Sequence, residues 1–139
     1  MNKKKFEEMI PDINEIIEMV PDVRGKEDEE EEITTGFKVD SLEELLDPES
    51  PRRKFYKYLS GFEHDELKII QSFMLTGRYI LNGSEKFDKK TLIEMFEENF
   101  DRPSHQNDKS AMVSYISEKT LQLDRYLNKG LEAFKKINN

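Results

Sequence analysis

The stretch Arg52-Arg53-Lys54-Phe55-Tyr56-Lys57-Tyr58 interleaves four bases with three aromatics, the mixture that tracks phosphates and stacks nucleic-acid bases. Phe55, Tyr58 and Leu59 also recur at helical spacing, which makes them a core stripe with Arg53, Lys54 and Lys57 on the polar side. The basic face can instead dock the acidic segment of the same chain or of a partner. A second candidate is Arg78, next to Gly77 on an otherwise apolar helix. Its guanidinium can bind a carboxylate or phosphate bidentately, or it can cap helix carbonyls or pair with an acid of the N-terminal segment. The structural role is the expected one. A third is Glu27 to Glu32, six consecutive acids. They lack the Asp-x-Asp-x-Asp-Gly turn of a calcium loop, and like charges in a row repel each other, so a solvated run is expected. Imitation of a nucleic-acid backbone would need a fixed phosphate-like spacing that such a run does not have.

Other chemistries are excluded by residue type. The chain has no cysteine, so disulfides, zinc ribbons, thiolate nucleophiles and iron–sulfur ligation are ruled out. Its two histidines, His64 and His105, stand far apart and outside any His-Glu-x-x-His pattern, and read as surface imidazoles. No Gly-x-Ser-x-Gly elbow, P-loop or Gly-x-Gly-x-x-Gly motif occurs. No catalytic residue, metal or cofactor is therefore expected.

These residues must be carried by a small helical body. Of 139 residues, 35% are apolar and 37% charged, and 30 acids against 22 bases give a net charge of -8. Leu, Ile, Val and Phe make up about a quarter of the chain, enough for a modest core despite the charge. The charge is segregated. Residues 7 to 50 hold 17 acids and three bases, whereas residues 51 to 139 carry a net charge of +3. A negative chain of this kind is repelled from nucleic acid unless the basic patch is isolated from the acidic segment. No apolar run is long enough to span a bilayer, and basic Lys3 to Lys5 lead into Phe6-Glu7-Glu8 where a signal peptide needs apolar residues. The expected location is the cytoplasm, with no membrane partner.

Phe6, Met9, Ile10, Ile13, Ile16, Ile17 and Val20 form one helical stripe, with Pro11 placing a start or a kink and Pro21 a stop. Residues 22–40 follow as an exposed acidic connection, and 41–139 as the helical body. Ser41 opens a short helix, and Ser50-Pro51 opens another that breaks at Gly61. Glu63, Asp65 and Glu66 supply the acidic first turn of the next, in which Gly77 marks either a close-packing point or the end. Asp88 caps a further helix, with Phe87 and Leu92 at hydrophobic-staple spacing. Asp108 or Ser110 restarts the chain, and the last stripe, from Leu123 to Ile137, contains Gly130 at a point suited to tight helix contact. Only Gly36 to Asp40 resembles a strand, too short to make a sheet. The expected fold is all-α: a single domain of five or six helices in an irregular orthogonal bundle.

Leu59-Ser60-Gly61-Phe62-Glu63-His64-Asp65-Glu66-Leu67, Phe73-Met74-Leu75-Thr76-Gly77-Arg78 and Tyr126-Leu127-Asn128-Lys129-Gly130-Leu131-Glu132 together resemble an uncharacterised bacterial family, domain-of-unknown-function family 3775. The N-terminal apolar helix and the acidic stretch after it fit the same pattern. The tryptophan that often precedes the family's Gly-Arg motif is absent, with Phe73-Met74 in its neighbourhood. The resemblance implies a small helical domain with no established activity, and it directs attention to Arg78.

The functional expectation is a non-enzymatic cytoplasmic module that interacts with, or regulates, another protein, the acidic segment tuning docking electrostatically. A nucleic-acid role through Arg52 to Tyr58 is the alternative. An enzyme would require a concave pocket in which polar groups converge around Arg78 or a histidine.

Overall fold

A computed structural model describes residues 1–31, 49–83, 86–102 and 108–138, with side chains given throughout except at 25–31. All regular structure among them is helical: α1 (Lys3–Glu8), α2 (Ile10–Glu31), α3 (Pro51–Ser60), α4 (His64–Asn82), α5 (Lys89–Phe100), α6 (Lys109–Ser117) and α7 (Leu123–Asn138). The chain is an all-α bundle, with seven described helices where five or six were expected. The helix expected at Ser41, the short strand candidate at Gly36 to Asp40 and His105 lie outside the described residues.

Local chemistry explains most helix starts. Asn2, Ser50, Asp88 and Asp108 each accept a hydrogen bond from a backbone amide of the turn they open. In α4 the Glu63 amide donates to Glu66 Oε1 at 2.8 Å, the reciprocal half of a capping box. Pro11 sits in the first turn of α2, where a missing amide costs nothing, and the break it marks falls at Met9.

The second proline behaves differently from expectation. Pro21 lies inside α2, and helical backbone continues to Glu31, so residues 22–31 are helix rather than connection. The rest of the expected 22–40 connection lies outside the described residues. An interior proline costs about 3 kcal/mol, but Val20 and Val23 on either side of it are buried in the core, and Arg24 is tied to Asp124 of α7. Tertiary burial offsets the local penalty.

The long α4 is the central element, buried almost continuously from Leu67 to Gly77. Its most extensive partner is α7, and α5 lies along another side. The α4–α7 crossing is a backbone contact: a Cβ on Gly77 would strike the Tyr126 carbonyl and come within 2.8 Å of the Gly130 amide nitrogen. The core on this side is aromatic. Phe6 from α1 inserts among Phe73, Phe96, Phe100 and Phe134, with ring centroids 5.7 to 6.2 Å away. Such pairs add about 0.5–1.5 kcal/mol each beyond the area they bury, which pins the N-terminal helix to three other helices.

Candidate interaction cleft between α4 and α5

Where α4 runs beyond its buried portion, its outer face and the facing side of α5 enclose an open cleft of about 850 Å³. Leu75, Arg78, Tyr79 and Asn82 are spaced by three or four residues, so one stripe of α4 supplies one wall. Thr91, Met95, Glu98 and Asn99 do the same from α5, and Arg102 follows four residues after Glu98, just past the helix end. The volume lies within the usual range for ligand-binding sites, roughly 300–1,000 Å³.

The floor is held rigidly by polar pairing between the two helices. Ser72 Oγ donates to the Phe96 carbonyl at 2.7 Å, and Gln71 Nε2 to the Asn99 carbonyl at 3.0 Å. The Asn99 carbonyl belongs to the last turn of α5, which has no partner within its own helix, so a buried side chain of α4 takes that place. Asn99 Nδ2 in turn donates to Thr76 Oγ1 at 2.9 Å. Gln71 Oε1 is buried without a hydrogen-bond partner among the described residues. At the other end, Asp88 accepts from the Thr91 amide at 2.8 Å, and hydrogen bonds from the Thr91 side chain and backbone hold its carboxyl below the ordinary range. Thr91 is thus engaged with the helix cap.

The mouth is both apolar and charged. Tyr79 is 61% exposed and lies against Phe87, with ring centroids 5.8 Å apart. Arg78, Glu98 and Arg102 are all exposed. None of the three has an ion pair or hydrogen bond among the described residues. Among the described residues Arg78 makes neither of the structural contacts expected for it, a cap on helix carbonyls or a pair with an N-terminal acid. Its side chain lines the cleft instead.

The other candidate residues lie elsewhere. Arg52, Arg53 and Lys54 occupy the first turn of α3 and do not line the cleft. Arg53 and Lys54 are exposed, and Lys54 Nζ stands 3.7 Å from Glu49. Arg52 is half-buried, and that burial holds its guanidinium below the ordinary value. Phe55 is fully buried, and Tyr58 directs its hydroxyl at Asp12 Oδ1, 3.5 Å away. His64, the first residue of α4, is half-buried rather than a surface imidazole, and its Nε2 is enclosed without a hydrogen-bond partner among the described residues. No three acidic or histidine side chains converge as metal ligands among the described residues, and no helix there is long and apolar enough to cross a membrane.

Glu98, Asn99 and Arg102 were not foreseen as site residues. A signal for them exists in the 91-95-98-99-102 spacing, a second helical stripe beside the buried one of Leu92 and Phe96. Mixed polarity hides it, because neither its apolar nor its charged members form a run. In comparisons with known proteins, no family model, no curated protein and no solved structure matches the chain.

Proposed function

We propose that this protein is a non-enzymatic, cytoplasmic interaction module that docks an acidic segment of a partner protein in the α4–α5 cleft. The observation that carries this reading is the pair Arg78 and Arg102: two guanidiniums on one cleft, neither neutralised within the described part of the chain. Unsatisfied arginines beside exposed aromatic surface are what a recognition site offers a carboxylate-bearing peptide, since Arg pairs with carboxylates bidentately and Tyr supplies contact area. Leu75, Met95 and Phe87 give apolar surface for the side chains between the acids. The resemblance to a family without established activity is compatible with this reading.

The nucleic-acid alternative is less well supported. Stacking needs open aromatic faces, and Phe55 is in the core while Tyr58 is turned toward Asp12.

Fluorescence anisotropy with a labelled peptide alternating glutamate with phenylalanine or leucine tests the proposal. Saturable binding that weakens with added salt, and falls at least tenfold in the Arg78→Gln/Arg102→Gln variant, is the expected result. No binding to the unaltered protein at low salt would refute it.

A further inference from the structure

Tyr79 is the most exposed large hydrophobic side chain among the described residues, at 61% against 38% for Leu121 and 36% for Met1. Its exposure follows from its place on α4. Leu75 and Tyr79 lie four residues apart on one stripe of that helix, but Leu75 is still buried at 8% exposure, whereas Tyr79 has passed the end of the packed portion. The ring does not stand alone on open surface. It lines the cleft with Arg78 and Arg102, and it leans on Phe87 with ring centroids 5.8 Å apart and planes tilted by 50°. Phe87 is partly buried and packed against the core, so the fold supports one side of the tyrosine ring and leaves the rest open to the cleft.

We infer that Tyr79 is a specificity-determining residue, which makes the cleft select an aromatic side chain at the apolar position of the acidic segment it docks. The inference rests on the peptide-docking reading above: the arginines engage carboxylates, and the open ring of Tyr79 pairs with a ring carried between them. An aliphatic side chain gains only the area it buries there. An aromatic one gains in addition the attraction between tilted or edge-to-face rings, which corresponds to roughly a three- to tenfold difference in affinity. Salt screens the arginine contacts but not this one, so the preference between two peptides of equal charge should hold as ionic strength rises.

The test uses two labelled peptides with the same glutamates that differ at one position, phenylalanine in one and cyclohexylalanine, its saturated counterpart of similar size, in the other. Each is titrated against the full chain and its Tyr79→Phe and Tyr79→Leu variants, at low and at moderate salt. The unaltered protein should bind the phenylalanine peptide about three- to tenfold more tightly at both salt concentrations. Tyr79→Phe keeps the ring and should keep the preference, whereas Tyr79→Leu should lose it. The substitutions fall on an exposed side chain outside the core. Equal affinities for the two peptides in the unaltered protein, tighter binding of the cyclohexylalanine peptide, or a preference that survives intact in Tyr79→Leu would overturn the role of Tyr79 and leave peptide docking intact. Failure of both peptides to bind the unaltered chain at low salt would bring down the docking reading and this inference with it.

Discussion

Gly77 of α4 and Gly130 of α7 mark one backbone crossing: Tyr126 and Gly130 main-chain atoms fill the space a side chain on Gly77 would need, and the Phe73 main chain fills the space beside Gly130. A Cβ on Gly77 would lie 2.8 Å from the Gly130 nitrogen, and one on Gly130 would lie 3.0 Å from the Phe73 carbonyl carbon. Both obstacles are backbone, which cannot rotate away as a side chain can. Space, not backbone conformation, is what demands glycine at this crossing.

Gly77→Ala and Gly130→Ala should each destabilise the protein by at least about 3 kcal/mol, the upper end for overpacking a core, because α4 and α7 must separate to admit the methyl group. Gly83→Ala is the control: its Cβ would lie an ordinary 3.4 Å from the Tyr79 carbonyl oxygen. Urea unfolding should show a large fall in midpoint for the first two variants and little change for the third. Comparable midpoints for all three would refute the tight crossing.

The continuation of α2 past Pro21 depends on its anchorage to α7. Arg24 Nη1 lies 2.7 Å from Asp124 Oδ1 and 3.4 Å from the Leu121 carbonyl oxygen, and the two side chains are only 25% and 16% exposed. A double-mutant cycle with Arg24→Ala and Asp124→Ala should return a coupling of about 0.5–1 kcal/mol. Amide exchange around Val23 should accelerate in either single variant, because the last core-bound turn of α2 loses its tie. An additive cycle would mean that Val20 and Val23 hold the segment unaided.

Alkaline titration offers a third check. Burial first, and then the charges of Asp12 and Glu15, push the Tyr58 phenol from 10 up to about 12. Because folding raises this pKa, the neutral phenol's contribution to stability is fully present below pH 10 and is lost as pH rises through about 12. Ultraviolet titration of the tyrosines should show one ionising well above the ordinary range. Asp12→Asn should lower that value without restoring it fully, since burial remains the larger cause. An unchanged titration curve would place the Asp12 contact outside the solution structure.

Much of the fold was legible along the chain. The Ser50, Glu63, Asp88 and Asp108 starts, the Gly61 stop and the break at Pro11 all obey rules that act within a single turn. The buried stripes of Ile13-Ile16-Val20 and Leu67-Ile70-Phe73 follow from spacing alone. Pro21 does not stop α2, because the local rule against an interior proline is outweighed by the burial of Val20 and Val23 and by the tie from Arg24 to Asp124, 100 residues away. Spacing along the chain leaves Gly77 as either a packing point or a helix end, and only the backbone of α7 against it makes it a packing point. For the cleft, sequence pointed to Arg78 but not to what surrounds it, because Arg102 and Glu98 reach it only through the side-by-side packing of α4 and α5.

The sequence by itself determined the helical class, the exclusion of cysteine chemistry and the segregation of charge, since composition, capping and periodicity act through neighbouring residues. Only the tertiary structure decided that Gly77 faces Gly130, that α2 runs through its proline and that two arginines without an ion pair among the described residues share one cleft with Glu98. Each of these depends on which helix faces make contact, and that is settled by packing complementarity between segments distant in the chain.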